Sequence, residues 1–213
     1  MIDTLAKLHS VDIYATGLDK IGKPLGFVSR QVKGWSERWQ RAKTTTVPAM
    51  ETVMLWLNEH MPPESVPSTL VHNDFKLDNV ILAANEPNQV IGVLDWEMST
   101  VGDPLIDLGV FLGYWSQAKD PVARRESISP VTCEPGWLTR QELITRYGEK
   151  TGRDLSHIVF YETFAIFKLA VVLQQIYYRY ACGQTKDERF KEFEQVVIGL
   201  ADAAMELIKQ KDL

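Results

Sequence analysis

Cysteine is nearly absent: Cys133 and Cys182 are the only two in 213 residues. They are too few for a disulfide framework and lack metal-ligand spacing, so they read as reduced structural thiols. A secretory leader is not legible, because Met1-Ile2-Asp3-Thr4-Leu5-Ala6-Lys7 has no apolar core. The longest apolar stretch, around Phe164 to Leu173, is broken by Lys168, and the expectation is that it is too short to span a bilayer. A net charge of −5 removes any global nucleic-acid footprint. There is no internal repeat and no low-complexity segment. Gly22-Lys23-Pro24-Leu25-Gly26 lacks the spacing and the preceding strand of a phosphate-binding glycine loop, and reads as a turn. What these absences leave is a soluble, cytoplasmic globular protein with no nucleic-acid and no membrane partner.

What is present suffices for a sizeable core. With 45% apolar and 24% charged residues, the composition is that of an ordinary globular chain. Helical spacing dominates. Val28, Val32, Trp35 and Trp39 recur on one face, with Arg30, Lys33, Arg38 and Arg41 between them. Residues 1–43 hold eight Lys/Arg against four Asp/Glu, which is either a solvated helix face or an anion-binding surface. Pro48 suits a first helical turn, and Pro62-Pro63 closes that helix. Asp103 before Pro104 is an N-cap signal, and Thr139-Arg140-Gln141-Glu142 is a capping box flanked by Leu138 and Leu143. A long helix is expected from about Ser156 to Ala181, stopped by Gly183. The last helix carries Phe190, Phe193, Val197, Leu200, Ala204 and Leu207. Ser116 to Gly136, rich in charge, Ser and Pro, is expected to be a mobile loop.

Between Thr69 and Trp96 the pattern changes. Val80-Ile81-Leu82 and Val90-Ile91-Gly92-Val93-Leu94 flank the turn-forming Asn85-Glu86-Pro87-Asn88, so a β-hairpin is expected. It gives geometry to the run Val71-His72-Asn73-Asp74-Phe75-Lys76-Leu77-Asp78-Asn79 and to Leu94-Asp95-Trp96-Glu97. Asn79 and Asp95 stand sixteen residues apart in sequence, and antiparallel pairing returns them to one end of the ribbon. An amide oxygen and a carboxylate suit Mg²⁺ better than zinc. Asp74, one loop away, is free to accept a hydroxyl proton. His9, His60 and His157 lie outside the cluster, which weakens a zinc-hydrolase reading.

His72-x-Asp74-x-Lys76-x-x-Asn79 resembles the catalytic loop of protein kinases, and Asp95 looks like the magnesium aspartate that follows it. Leu94-Asp95-Trp96-Glu97 and Gly102-Asp103-Pro104-Leu105-Ile106-Asp107-Leu108 depart from protein kinases. They are similar to the aminoglycoside phosphotransferase and choline kinase group, in particular its branch associated with acyl-CoA dehydrogenases. Gly17-Leu18 through Trp39 and Tyr161 through Tyr178 also look like that branch. Asn73 stands where the group usually has Gly, and Asn tolerates unusual backbone angles.

The resemblance implies a mostly α, α+β fold: one kinase-like C-terminal lobe over 1–213 with a small central hairpin and the nucleotide lobe absent. Its catalytic loop and metal hairpin would occupy 69–97 and a helical acceptor-binding part 104–213. ATP would be the phosphoryl donor and Mg²⁺ the cofactor. Asp74 would be the base and Asn79 and Asp95 the metal ligands. Lys76 would point at the transferred phosphate, where negative charge gathers. His72, Asp103 and Asp107 would be structural supports of the loop. Tyr114, Trp115, Tyr161, Phe164, Lys168, Tyr177 and Arg179 are candidate acceptor contacts. Lys168 and Arg179, eleven residues apart, share a helix face. That pair fits either an anionic acceptor, such as a hydroxyacyl-CoA-like thioester, or an ordinary polar stripe. The expected partners are that hydroxylated small molecule and, beyond it, an N-terminal lobe or an acyl-CoA dehydrogenase. Alone, the chain is expected to turn over poorly. The competing reading is a kinase-fold binding module without catalysis.

Overall fold

The computed structural model describes residues 1–126 and 130–211. Eight helices are seen among these: α1 (Ile2–Leu8), α2 (Phe27–Ala42), α3 (Pro48–Glu59), α4 (Pro104–Gly113), α5 (Val122–Glu126), α6 (Arg140–Thr151), α7 (Ile158–Ala181) and α8 (Phe193–Lys211). Four short strands, β1 (Thr69–Val71), β2 (Val80–Ala83), β3 (Glu86–Val93) and β4 (Thr100–Gly102), separate α3 from α4. The class is therefore mostly helical α+β, as expected.

The caps explain several boundaries. Asp103 accepts from the Leu105 amide at 2.8 Å and Pro104 opens α4, so the orphan N–H groups of the first turn meet a carboxylate. Thr139 and Glu142 form the reciprocal capping box of α6. Gly183, with φ 70°, follows the last turn of α7.

The expected hairpin is β2–β3, but its turn is shorter. Ala84 and Asn85 make the reversal, while Glu86, Pro87 and Asn88 already belong to β3. Ala83 faces Glu86 and Leu82 faces Val90, so residues 87–89 stand unopposed. Regular pairing resumes at the base, where Val80 faces Val93. A second ribbon, β1–β4, pairs Thr69 with Gly102 and Val71 with Thr100. The ribbons are nested. Residues 72–79 link β1 to β2, residues 94–99 link β3 to β4, and these two connections meet at the junction.

α7 lies at the centre and packs on α2, α3, α4 and α8. By length and composition alone it could cross a membrane, contrary to the expectation from its interrupted apolar run. Two thirds of its most apolar window, 67%, is buried in the protein instead. Its approach to α4 is set by glycine. A Cβ on Gly109 would stand 2.4 Å from the Tyr161 carbonyl oxygen, and one on Gly113 2.8 Å from the Ala165 Cβ. Only hydrogen fits at these two positions, so α4 meets the backbone of α7 at Gly109 and the small Ala165 side chain at Gly113.

The segment from Ser116 to Gly136 is not the free loop that its composition indicates; residues 127–129 of it lie outside the described residues. Asp120, Arg124, Arg140 and Glu162 form a buried ion network at its base. Arg140 grips both Asp120 oxygens at 2.6 and 2.7 Å, and Arg124 reaches Glu162 at 2.6 Å. Arg140 also donates to the Trp115 carbonyl at 2.8 Å, tying the segment to the end of α4.

Candidate active site

Three backbone bonds and one ring position the loop 72–79. Asp107, fully buried on α4, accepts the amide of His72 at 2.5 Å and that of Asn73 at 2.6 Å. It also receives His9 Nε2 at 3.3 Å, and Tyr147 closes the chain by bonding His9 Nδ1 at 2.7 Å. His72 Nε2 donates to the Leu94 carbonyl at 2.8 Å. That leaves Nδ1 as an acceptor for the Asp74 amide at 3.3 Å, so the neutral tautomer with hydrogen on Nε2 satisfies both bonds. Trp96 packs on the His72 ring, centroids 5.0 Å apart.

The loop turns sharply at Asn73, whose φ is 64°. Its side chain donates to the Met98 carbonyl at 2.8 Å, and its own carbonyl accepts Lys168 Nζ at 2.8 Å. Burial holds the Lys168 ammonium below the usual lysine range, and the nearby Asp74 and Asp107 carboxylates partly restore it. Lys168 thus supports the loop backbone, a role that its sequence position did not disclose.

Asp74 is partly exposed at the centre of this frame. Its Oδ2 accepts Lys76 Nζ at 2.7 Å and Asn79 Nδ2 at 3.0 Å, and Asn79 Nδ2 also reaches the Asp74 carbonyl at 2.9 Å. The carboxylate is oriented through one oxygen, with Oδ1 left for a hydroxyl. Lys76 is not held clear of Asp74 to point at a phosphate, as the resemblance implies, but is ion-paired to it. It also lies 5.0 Å from the Tyr114 ring. Burial would depress the Lys76 ammonium; the Asp74 bond, with the Tyr114, Asp74 and Asp78 charges, more than reverses this and holds it above its ordinary value.

Both partners of Asn79 Nδ2 are acceptors, which fixes the amide orientation and leaves the Oδ1 lone pairs free to ligate a cation. Asn79 and Leu94 are joined by the Leu94 N–H to Asn79 carbonyl bond at 2.8 Å, which brings Asp95, the next residue, to the same end of the hairpin. Asp95 is exposed, with φ 64°. An amide oxygen beside an exposed carboxylate is a donor set for Mg²⁺, an ion that keeps waters and takes substrate phosphates as its other ligands. Among the described residues no three His, Cys, Asp or Glu side chains gather as a metal site, so a cation at the hairpin base would rest on these two oxygens.

Asp103 lies behind the loop. Burial pushes its carboxyl up, against hydrogen bonds from the Ser65 and Leu105 amides and the Tyr161 hydroxyl. The Tyr161 hydroxyl is committed to that bond at 2.9 Å, and its ring is buried. It therefore braces Asp103. Trp115 is also buried, with its ring nitrogen on the Leu138 carbonyl at 2.8 Å; its ring edges a small hollow with Lys76, Asp78 and Tyr114. Phe164 is core. Arg179 is exposed and stands three turns from Lys168, about 16 Å along α7, so the two are not one binding pair.

Residues 1–138 match the phosphotransferase enzyme family, APH. Acyl-CoA dehydrogenase family member 11 of Rattus norvegicus is 35% identical over 214 residues, covering 99% of this chain and 27% of that protein. Acyl-CoA dehydrogenase family member 10 of Mus musculus is 35% identical over 206 residues, covering 96% of this chain and 19% of that one. The chain thus spans only a minor part of these curated relatives. Among solved structures, a chain described as an aminoglycoside phosphotransferase from Ralstonia eutropha JMP134 aligns with a TM-score of 0.85 at 31% identity. The alignment covers 98% of this chain and 63% of that one.

Proposed function

Given that the chain belongs to the phosphotransferase enzyme family, we propose that it supplies the base, the metal ligands and the acceptor site of an ATP- and Mg²⁺-dependent O-phosphotransferase. Its acceptor is a small hydroxylated molecule. The reading rests above all on one observation: Asp74 is fixed by Lys76 and Asn79 through a single oxygen, and the Leu94 N–H to Asn79 carbonyl bond brings Asp95 to the same end of the hairpin.

In this reading the acceptor hydroxyl bonds Asp74 Oδ1. Its oxygen attacks the γ-phosphorus of ATP, its proton passes to Asp74, and the bridging oxygen leaves with ADP. Lys76 stays protonated and holds the carboxylate in position. Asn79 and Asp95 would hold Mg²⁺, which neutralises phosphate charge when bound. His72, Asp103 and Asp107 keep the loop backbone in place. The part from 104 to 213 supplies acceptor contacts. The acyl-CoA dehydrogenase names of the relatives favour a hydroxyacyl-CoA-like acceptor and a dehydrogenase as the associated enzyme.

The test is phosphate transfer from ATP to hydroxylated acyl-CoAs, amino alcohols and aminoglycosides, in the protein as naturally expressed. Asp74→Asn and Asp95→Asn are each expected to lower turnover by at least about a hundredfold with folding intact. Unchanged rates in both would overturn the assignment.

A further inference from the structure

The basic face of α2 meets the C-terminal half of α7 in a groove of about 610 Å³ lined by Arg38, Arg41, Gln175, Tyr178, Arg179 and Gln184, among others. In a chain of net charge −5, three guanidiniums gather here. Among the described residues none of the three has a carboxylate within ion-pair distance, whereas Arg124, Arg140, Arg146 and Arg189 are all paired. Among the described residues no acidic side chain lines the groove.

Two of the arginines are already held. Arg38 lies 4.6 Å from the Trp35 ring centroid, and Arg41 Nε donates to the Glu37 carbonyl at 3.2 Å. The walls are fixed too, because buried Gln174 on α7 bonds the Ala42 carbonyl at 3.0 Å and the Thr44 hydroxyl at 3.1 Å. Unpaired cations on a rigid frame lose little freedom on meeting an anion, and planar guanidiniums match phosphate oxygens two at a time.

Trp35 stands between the groove and the candidate active site. The Trp35 ring that carries Arg38 on one side has Lys168 Nζ at 5.5 Å, and Lys168 holds the Asn73 carbonyl beside Asp74. From Lys168 to Arg179 the α7 axis advances about 16 Å.

We infer that the α2–α7 groove is the anion subsite for a long acceptor. The reactive hydroxyl lies at Asp74, and a phosphate-bearing tail is gripped by Arg38, Arg41 and Arg179, the last of these about 16 Å along α7 from Lys168. This rests on the phosphotransferase reading for the identity of the hydroxyl end. The anion subsite itself stands on the groove. Compact amino alcohols would leave it empty.

Calorimetric titration of the chain with inorganic pyrophosphate, in EDTA to keep metal from the hairpin, tests the subsite directly. The expected result is saturable binding that weakens with salt. It should fall about tenfold or more in the Arg38→Gln/Arg179→Gln variant at unchanged melting temperature. It should persist in Lys209→Gln, a charge change on α8, and in Asp74→Asn. No saturable binding, or equal binding in the arginine variant, would overturn the subsite. In the naturally expressed protein, Arg179→Gln should raise KM for acceptors with phosphorylated tails about tenfold, with kcat and short-acceptor KM unchanged. Pyrophosphate binding that is lost in the variant without that KM change would mean a free anion, and would overturn the acceptor tail. Loss of turnover in Asp74→Asn speaks to the kinase reading alone, so the two failures are distinguishable.

Discussion

Asn73 and Asp95 occupy the same left-handed backbone region, φ 64° each, one in each of the two connections. The residue types pay different debts there. Asn73 tolerates the conformation and uses its amide to fasten Met98, so the turn and the cross-link come from one side chain. Asn73→Ala should therefore cost about 2–3 kcal/mol, the left-handed strain plus one buried bond, by urea unfolding. Asn73→Gly relieves the strain while losing the bond, and should stay within about 1 kcal/mol of the parent. Equal losses for Ala and Gly would show that the bond alone matters. Asp107 concentrates three donors on one buried carboxylate, and the partners come from residues 9, 72 and 73. The family resemblance implies a structural role for Asp107. Nothing in the spacing marks His9, ninety-eight positions away, because a solitary histidine on an amphipathic helix carries no signal of what it will meet.

At the scale of elements, α4 and α7 form the rigid part that carries this frame. Asp103 and Asp107 open α4, Lys168 rides on α7, and the distance between them is set where Gly109 and Gly113 meet α7. Gly109→Ala forces the helices apart. We expect a loss of 1–3 kcal/mol or more in thermal unfolding, together with reduced activity, as the Lys168–Asn73 bond lengthens. A stable, fully active Gly109→Ala protein would contradict this coupling. The segment after α4 is tied down by charge. Burial would raise the Asp120 carboxyl, but the Arg140 bonds and the Arg124 charge outweigh it and hold it below its ordinary 3.8. A lowered native value means stability that is fully present above 3.8 and is lost as pH falls through the lowered value. Asp120→Asn should cost about 3 kcal/mol near neutral pH, and the gap to the parent should close as acid protonates the parent. A gap independent of pH in melting experiments would rule out a charge effect.

For the molecule as a whole, much was legible because the signals were local. Caps at Asp103 and Thr139, the long apolar period of α7 and the spacing from Asp74 to Asp95 each lie within a few turns or one hairpin. The class and the mostly helical arrangement followed from them. The β1–β4 ribbon did not, since three-residue strands are too short to show alternation. From sequence, Tyr161 and Lys168 are candidate acceptor contacts, because an aromatic and a cation on one helix look available until their partners are known. Asp103 and the Asn73 carbonyl take them. The Ser116–Gly136 composition suggested mobility, but its charges pair with Glu162, a residue from another part of the chain.

The nesting of the two ribbons has a consequence for how such a gene can change. The spacing of Asn79 and Asp95 is set at the base of the hairpin, where Val80 faces Val93, while the tip already carries residues 87–89 without partners. Length added at the tip therefore extends the far end and leaves the base untouched. The stretch from Ala84 to Gln89 is a port through which the chain can acquire a loop, a tag or a contact with another domain without retuning the groups at the ribbon junction.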